Sequence, residues 1–157
     1  MQYENNSVLI SDLAAGHAAE HLVCADLLLQ GYTAFLTDQI CAYDVAVDVG
    51  GRLVRIQVKA TRAPRAIPQR AGHFPAYMWH VRRAGKKGAR VYAAAAFDML
   101  ALVALDTRQI AYMPMSMLRQ TVHIRPDDGR PPNTKTGKYF SEFGFSAALS
   151  LVFGGAV

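Results

Sequence analysis

Four side chains and one backbone carbonyl are the candidates for chemistry in this chain. Asp44 precedes Gln57 by thirteen residues, and Lys59 follows Gln57 by two in the stretch Arg55-Ile56-Gln57-Val58-Lys59. Side chains alternate faces along a strand, so Gln57 and Lys59 project together from a strand through this stretch. A carboxylate, an amide oxygen and an ammonium on one patch of sheet suit the hydrolysis of a phosphodiester. That reaction needs a divalent metal to polarise the phosphoryl oxygen and to lower the pKa of an attacking water. Hard oxygen ligands suit Mg²⁺, and one or two carboxylates suffice, because water and phosphate complete the octahedron. Asp44 and Glu20 could supply the carboxylates, with the Gln57 side-chain oxygen or the Val58 carbonyl as neutral ligands. Lys59 could stabilise transition-state charge or orient the nucleophile. The spacing D-x₁₂-Q-x-K is undemanding by itself. Asp44 capping a strand, with Gln57 and Lys59 on the solvent face of an edge strand, is the alternative.

The element that must position these groups is a hairpin over residues 44–59. Asp44 to Val49 alternate polar or small with apolar, Gly50-Gly51 break the run, and Leu53 to Lys59 alternate again. Val45, Val47 and Val49 share one face, and Val54, Ile56 and Val58 share another. If both faces meet the same core, the opposite side carries Asp44, Asp48, Arg55, Gln57 and Lys59. The second positioning element is a helix over residues 11–30, with Ser11 as cap, Asp12 at the positive end of the dipole and Gly31 as stop. Leu13, His17, Glu20, Cys24 and Leu27 form one stripe, with Leu28 beside it, and this stripe is expected to face the core. Glu20 on it must find a cation, a metal or donors, or else the stripe is tilted and Glu20 reaches solvent.

Charge along the chain is segregated. Residues 1–48 hold no Lys or Arg but seven Asp or Glu, whereas residues 49–97 hold no Asp or Glu but eleven Lys or Arg. The net charge of +5 and pI of 9.4 favour an anionic partner. Arg62, Arg65, Arg70, Lys86 and Lys87 are the candidate phosphate contacts, supplying salt-dependent affinity without sequence information. A solvated basic surface is the alternative reading of the same charge asymmetry. Tyr77 and Trp79 could stack on bases, although aromatics at strand spacing are more often core.

A chain of 157 residues, 52% hydrophobic and 18% charged, is expected to form one globular α/β domain. Its core should span about residues 10–120, followed by a Pro/Gly-rich loop at 125–138 expected to be mobile and an apolar tail at 139–157 that docks on the core or on another subunit. A first strand is expected over 32–36, then strands at 77–82, 91–97, 100–105 and 109–114, and a short helix at 115–120. Cys24 and Cys41 match no zinc spacing and form no disulfide framework, which points to a reducing, cytoplasmic setting. The polar start MQYENNS does not read as a signal peptide. No apolar run reaches the roughly 18 residues that span a bilayer, so no membrane partner is expected.

The order of a helix with Gly16 and Glu20 in GHAAEHLVCADLLLQGY, Asp44 in AYDVAVDV, and Gln57 with Lys59 in RIQVKAT resembles the core of the PD-(D/E)XK nuclease superfamily. It is most similar to the small stand-alone members: homing endonucleases with Gln in the motif, and archaeal Holliday junction resolvases. The similarity runs over about residues 10–115. The resemblance implies a restriction-endonuclease-like α/β core, with an N-terminal helix followed by a mixed central sheet flanked by helices. It also implies Mg²⁺-dependent DNA cleavage, with Mn²⁺ able to substitute, and usually a homo-oligomer. Residue by residue, Asp44 corresponds to the metal-binding aspartate, Glu20 to the helix carboxylate and Lys59 to the motif lysine. Gln57 replaces the acidic residue and removes one negative charge, a change found in active members, and Tyr43 stands where Pro is usual. The leading expectation is an endonuclease that cuts duplex or branched DNA by metal-activated water, as a dimer or tetramer. The alternatives are a non-catalytic DNA-binding protein on a nuclease fold, and a structural or interaction domain.

Overall fold

In the computed structural model, which describes residues 10–66, 75–81, 92–93, 95–128 and 138–154, the hairpin forms as the alternation requires. Strand β2 (Val45–Val49) and strand β3 (Arg52–Thr61) pair antiparallel, with Val45 opposite Ile56 and Val47 opposite Val54. Gly50 and Gly51 take φ of +60° and +84°, the left-handed pair that a two-residue hairpin turn needs. Asp48 Oδ1 accepts the Gly51 N–H at 2.7 Å, which fixes the turn.

Helix α1 (Asp12–Leu29) is capped by Ser11, whose hydroxyl accepts the Ala14 N–H at 3.1 Å. Gly31, at φ +90°, turns the chain into β1 (Thr33–Leu36), which pairs antiparallel with β2. The buried stripe of α1 is Ala15, Ala19, Val23 and Leu27. This corrects the expected stripe: Leu13 and Leu28 are exposed. The small residues at Ala15 and Ala19 let the helix axis approach the sheet, and the i, i+4 row that contains them is buried in place of the bulkier one.

After β3 come β4 (Tyr77–His80), β5 (Met99–Ala104), β6 (Gln109–Pro114), β7 (Thr121–Ile124) and helix α2 (Phe145–Val152), with short 3₁₀ turns at Met115–Met117 and Phe140–Glu142. The main sheet has the order β1-β2-β3-β5-β6 and is mixed: β3 and β5 are parallel and their neighbours antiparallel. β4 and β7 form a separate antiparallel ribbon. One face of the main sheet buries Val45, Val47, Val54, Ile56, Met99, Ala101 and Val103 under α1 and α2. The other buries Leu100, Leu102, Ala111 and Met113 under Tyr77, Trp79, Val122, Ile124 and Phe140. β5 is therefore covered on both faces, which explains its unbroken apolar run. The result is an α/β fold with an N-terminal helix, a mixed central sheet and flanking helices.

Other expectations meet the structure unevenly. Tyr77 and Trp79 are core, each at most 2% exposed, and are not surface stacking groups. The described residues of 91–97 form no strand, and 115–120 hold a single 3₁₀ turn in place of a helix. The apolar tail docks: Phe145, Ala148 and Leu149 of α2 are buried. Residues 129–137 of the expected loop lie outside the described residues. Among the described residues no helix is long and apolar enough to cross a membrane.

The start of the parallel β3–β5 pairing is locked by Arg55 and Asp98. The Arg55 backbone N–H and Nε donate to Asp98 Oδ2 at 2.8 and 3.1 Å, Nη2 donates to Oδ1 at 3.0 Å, and Nη1 to the Ala95 carbonyl at 2.8 Å. The Asp98 N–H returns a bond to the Arg55 carbonyl at 2.9 Å. Burial by itself would raise the Asp98 carboxyl, but the Arg55 hydrogen bonds outweigh it and hold it below the usual carboxylate range. Because the folded value is the lower one, the stabilisation is full above the unfolded value of about 3.9 and is lost as pH falls through the folded value. Asp98→Ala is expected to lower stability by about 1–2 kcal/mol at pH 7, with the difference from wild type shrinking below about pH 4, as read from urea melts across pH.

Candidate active site

The site begins where β3 outruns β2. Ile56 faces Val45, the first residue of β2, whereas Gln57 to Thr61 pair with β5 alone. In an extended strand the N–H and C=O of one residue leave on the same side, and successive residues alternate sides. The Ile56 carbonyl accepts the Asp44 N–H at 2.9 Å on the β2 side, and the Thr61 carbonyl accepts the Leu105 N–H at 2.9 Å on the β5 side. Val58, two residues after Ile56, therefore turns both of its backbone groups toward the side that β2 has vacated.

Asp44 fills that gap. Its Oδ2 accepts the Val58 N–H at 2.7 Å and the Gln57 Nε2 at 2.5 Å. Among the described residues no hydrogen bond reaches Asp44 Oδ1. The Gln57 amide, with its nitrogen committed to Asp44, turns its oxygen away from it. Three oxygens at this end of the strand take no part in those two bonds: Asp44 Oδ1, Gln57 Oε1 and the Val58 carbonyl.

Glu20, on α1, acts on Asp44 electrostatically. Its side chain is 28% exposed, and its Oε2 lies 3.3 Å from His17 Nδ1. Burial and, behind it, the Glu20 charge push the Asp44 carboxyl above its ordinary value, against the lowering effect of the Val58 N–H, Lys59 and Gln57. Glu20 and Asp44 are therefore electrostatic neighbours. Among the described residues no three His, Cys, Asp or Glu side chains converge; an amide, Gln57, stands beside Asp44 as the additional oxygen donor.

Lys59 projects from the same strand face as Gln57, with its Nζ 5.3 Å from the centre of the Tyr92 ring. Sequence reasoning did not single out Tyr92, since thirty-two residues of no fixed pattern separate it from Lys59 and nothing else in the sequence links the two. The His17–Glu20 pair was also missed as a pair, although its i, i+3 spacing was legible.

The basic candidates divide. Arg62 Nη2 donates to Asp12 Oδ1 and to the Ile10 carbonyl, both at 2.8 Å, which braces it beside a cleft of about 280 Å³ lined by Gly16, Lys59 and Ala60. Arg65 is exposed, and its backbone bridges to Ala76. Arg70, Lys86 and Lys87 lie outside the described residues.

Comparison with known proteins follows the same lines. A family model described as PD-(D/E)XK endonuclease matches residues 11–146, so the likeness extends past residue 115 into the start of α2. No curated protein matches the chain. Among solved structures, a bacterial homing endonuclease, I-Ssp6803I, is similar in fold, with a TM-score of 0.69 at 18% sequence identity, over 92% of this chain and 96% of that one.

The strained carboxylate gives a direct test. The folded value of Asp44 is raised, so the stability it contributes is full below the unfolded value and is lost as pH rises through the folded one. Asp44→Asn, which keeps an oxygen for the Val58 N–H, is therefore expected to raise the melting temperature at pH 7.5 without divalent ions by roughly 1–3 °C. Wild type is expected to shift upward with millimolar Mg²⁺, and Asp44→Asn is expected to lack that shift. Differential scanning fluorimetry with Mg²⁺ and with EDTA reads both effects.

Proposed function

This chain belongs to the PD-(D/E)XK endonuclease family, and on that premise we propose that it is a Mg²⁺-dependent endodeoxyribonuclease. The observation that carries the reading is the Asp44 carboxylate seated on the Val58 N–H and the Gln57 amide at the open end of β3, with Lys59 next on the same face. Asp44, Glu20, the Gln57 side-chain oxygen and the Val58 carbonyl would hold Mg²⁺, with Mn²⁺ as a substitute. The fit rests on the all-oxygen donor set and on the raised Asp44 carboxyl, whose charged form burial and then Glu20 disfavour and a divalent cation would favour. When bound, the ion supplies a Lewis acid for the scissile phosphoryl group and lowers the pKa of the attacking water.

The chain's own residues supply the rest. Lys59 sets a cation beside the phosphoryl oxygens where negative charge grows during attack. Its placement two residues from Gln57 keeps it on the same centre. Arg62, at the cleft between α1 and β3, and exposed Arg65 bind flanking phosphates, and Arg70, Lys86 and Lys87 extend the same role along the basic segment. One site per chain cuts one strand, so cleavage of duplex or branched DNA calls for an even-numbered symmetric assembly, a dimer or tetramer. I-Ssp6803I, a homing endonuclease of similar fold, makes double-stranded DNA the first substrate to try.

A second reading is favoured by one observation, the amide at position 57. With one charge fewer at the site, a protein that binds DNA without cutting it is the alternative. Plasmid and four-way-junction cleavage is expected with Mg²⁺ in wild type, with none in EDTA and none for Asp44→Ala. Lys59→Ala is expected to lower the cleavage rate at least about 100-fold while leaving DNA affinity within about threefold. No cutting by wild type on any substrate, with salt-sensitive binding intact, would replace the endonuclease reading by the binding one.

A further inference from the structure

Lys59 poses a positioning problem. A lysine ammonium rides on a flexible four-carbon stem, yet among the described residues no carboxylate pairs with it and no hydrogen bond holds it. The directional contact it does make is with Tyr92, 5.3 Å from Nζ to ring centre, within the range of a cation–π attraction. Tyr92 is itself held edge-on by Phe97, centre to centre 4.9 Å and 79° between planes. Phe97 is 1% exposed and packs with Leu100 and Leu102, and Leu102 is the residue paired with Lys59 across the β3–β5 ladder. The ring is thus braced on the same layer that lies under the lysine.

We propose that Tyr92 is the positioning residue for Lys59, its ring face holding the ammonium over the Asp44–Gln57 centre. This rests on the endonuclease reading. A ring suits the task better than a carboxylate would. A carboxylate at the same place would neutralise the charge that the phosphoryl group needs, whereas the ring's quadrupole attracts the ammonium and leaves its charge whole. The phenol oxygen has no part in this, so the ring matters and the hydroxyl does not.

The test is a set of variants assayed for Mg²⁺-dependent cleavage of a duplex that wild type cuts. Tyr92→Leu is expected to lower kcat about 3- to 10-fold with KM within twofold, and Tyr92→Phe to restore kcat to within twofold of wild type. In a Lys59→Ala background, Tyr92→Leu is expected to have no further effect, because the two residues act as one unit. A readout that needs no activity accompanies these. In protein labelled with ¹³C at the lysine ε-carbon, the Lys59 ε-protons are expected upfield of the other lysines, to lose that shift in Tyr92→Leu and to keep it in Tyr92→Phe. If Tyr92→Leu lowers the melting temperature by more than about 5 °C, Tyr92→Met, which keeps apolar bulk against Phe97, takes its place. An unchanged kcat in Tyr92→Leu, an equal loss in Tyr92→Phe, or a further loss on the Lys59→Ala background overturns the proposal. If wild type cuts nothing, the endonuclease reading falls and takes a catalytic role for Tyr92 with it. The ε-proton shift then decides whether the contact alone exists.

Discussion

The site depends on one unmade ladder bond. β3 continues past the end of β2, and the Val58 N–H would be left unpaired beside a half-buried centre. An orphaned backbone donor away from bulk water is costly. Asp44 satisfies it with a side-chain oxygen, and the same oxygen takes the Gln57 amide. This substitution of a carboxylate for a neighbouring strand ties Asp44, Gln57 and the Val58 backbone together at the strand end. The geometry of the candidate centre is thus a by-product of how a sheet copes with strands of unequal length, and it needs no special backbone conformation at any of its residues.

Charge is arranged around this point in two different ways. Arg55 lies on the same strand face as Gln57, but Asp98 claims it through both guanidinium and backbone. It therefore fastens the parallel strand pair, and its charge is turned away from the centre. Lys59, two pairs further along, has no such partner among the described residues and rests on an aromatic ring. Two cations of one strand, four residues apart, are thereby separated into a fastening and a free charge. On the far side of the sheet the Tyr112 hydroxyl donates to Asp26 at 2.5 Å and ties α1 to β6. Burial, and then the Asp26 bond and charge, push that phenol well above its ordinary value. The helix that carries Glu20 is in this way anchored at a second place, away from the chemistry.

Much of this was legible in the sequence, and the reasons differ by element. The β2–β3 hairpin was readable because a period of two and a Gly-Gly turn are local signals, and they set the face shared by Gln57 and Lys59 without any knowledge of distant contacts. The limits of α1 followed from Ser11 and Gly31, but its buried stripe did not. Helical spacing chose the row from Leu13 through His17, Glu20 and Cys24 to Leu27, with Leu28 beside it, and of these Leu27 is buried; close packing against the sheet chose Ala15, Ala19 and Val23 for the rest. Residues 91–97 read as a strand because alanines and aromatics imitate one. The described residues among them form no strand and lead into β5, where Asp98 and Arg55 set the start of pairing. Tyr92 beside Lys59 was beyond the reach of spacing, since the contact exists only once β3 and β5 have been brought side by side.

The two glycines between β2 and β3 lie at the opposite end of the hairpin from the chemistry, yet they govern it. A strand has two faces and a period of two, so a turn of fixed length works as a ruler. Lengthening it by one residue without a compensating bulge would carry Val54, Ile56 and Val58 outward and Arg55, Gln57 and Lys59 into the apolar layer under α1. No intermediate arrangement exists in which the core is slightly worse and the site slightly displaced. Fold and chemistry are written on alternate residues of a single strand, and at Gly50-Gly51 they share one point of failure.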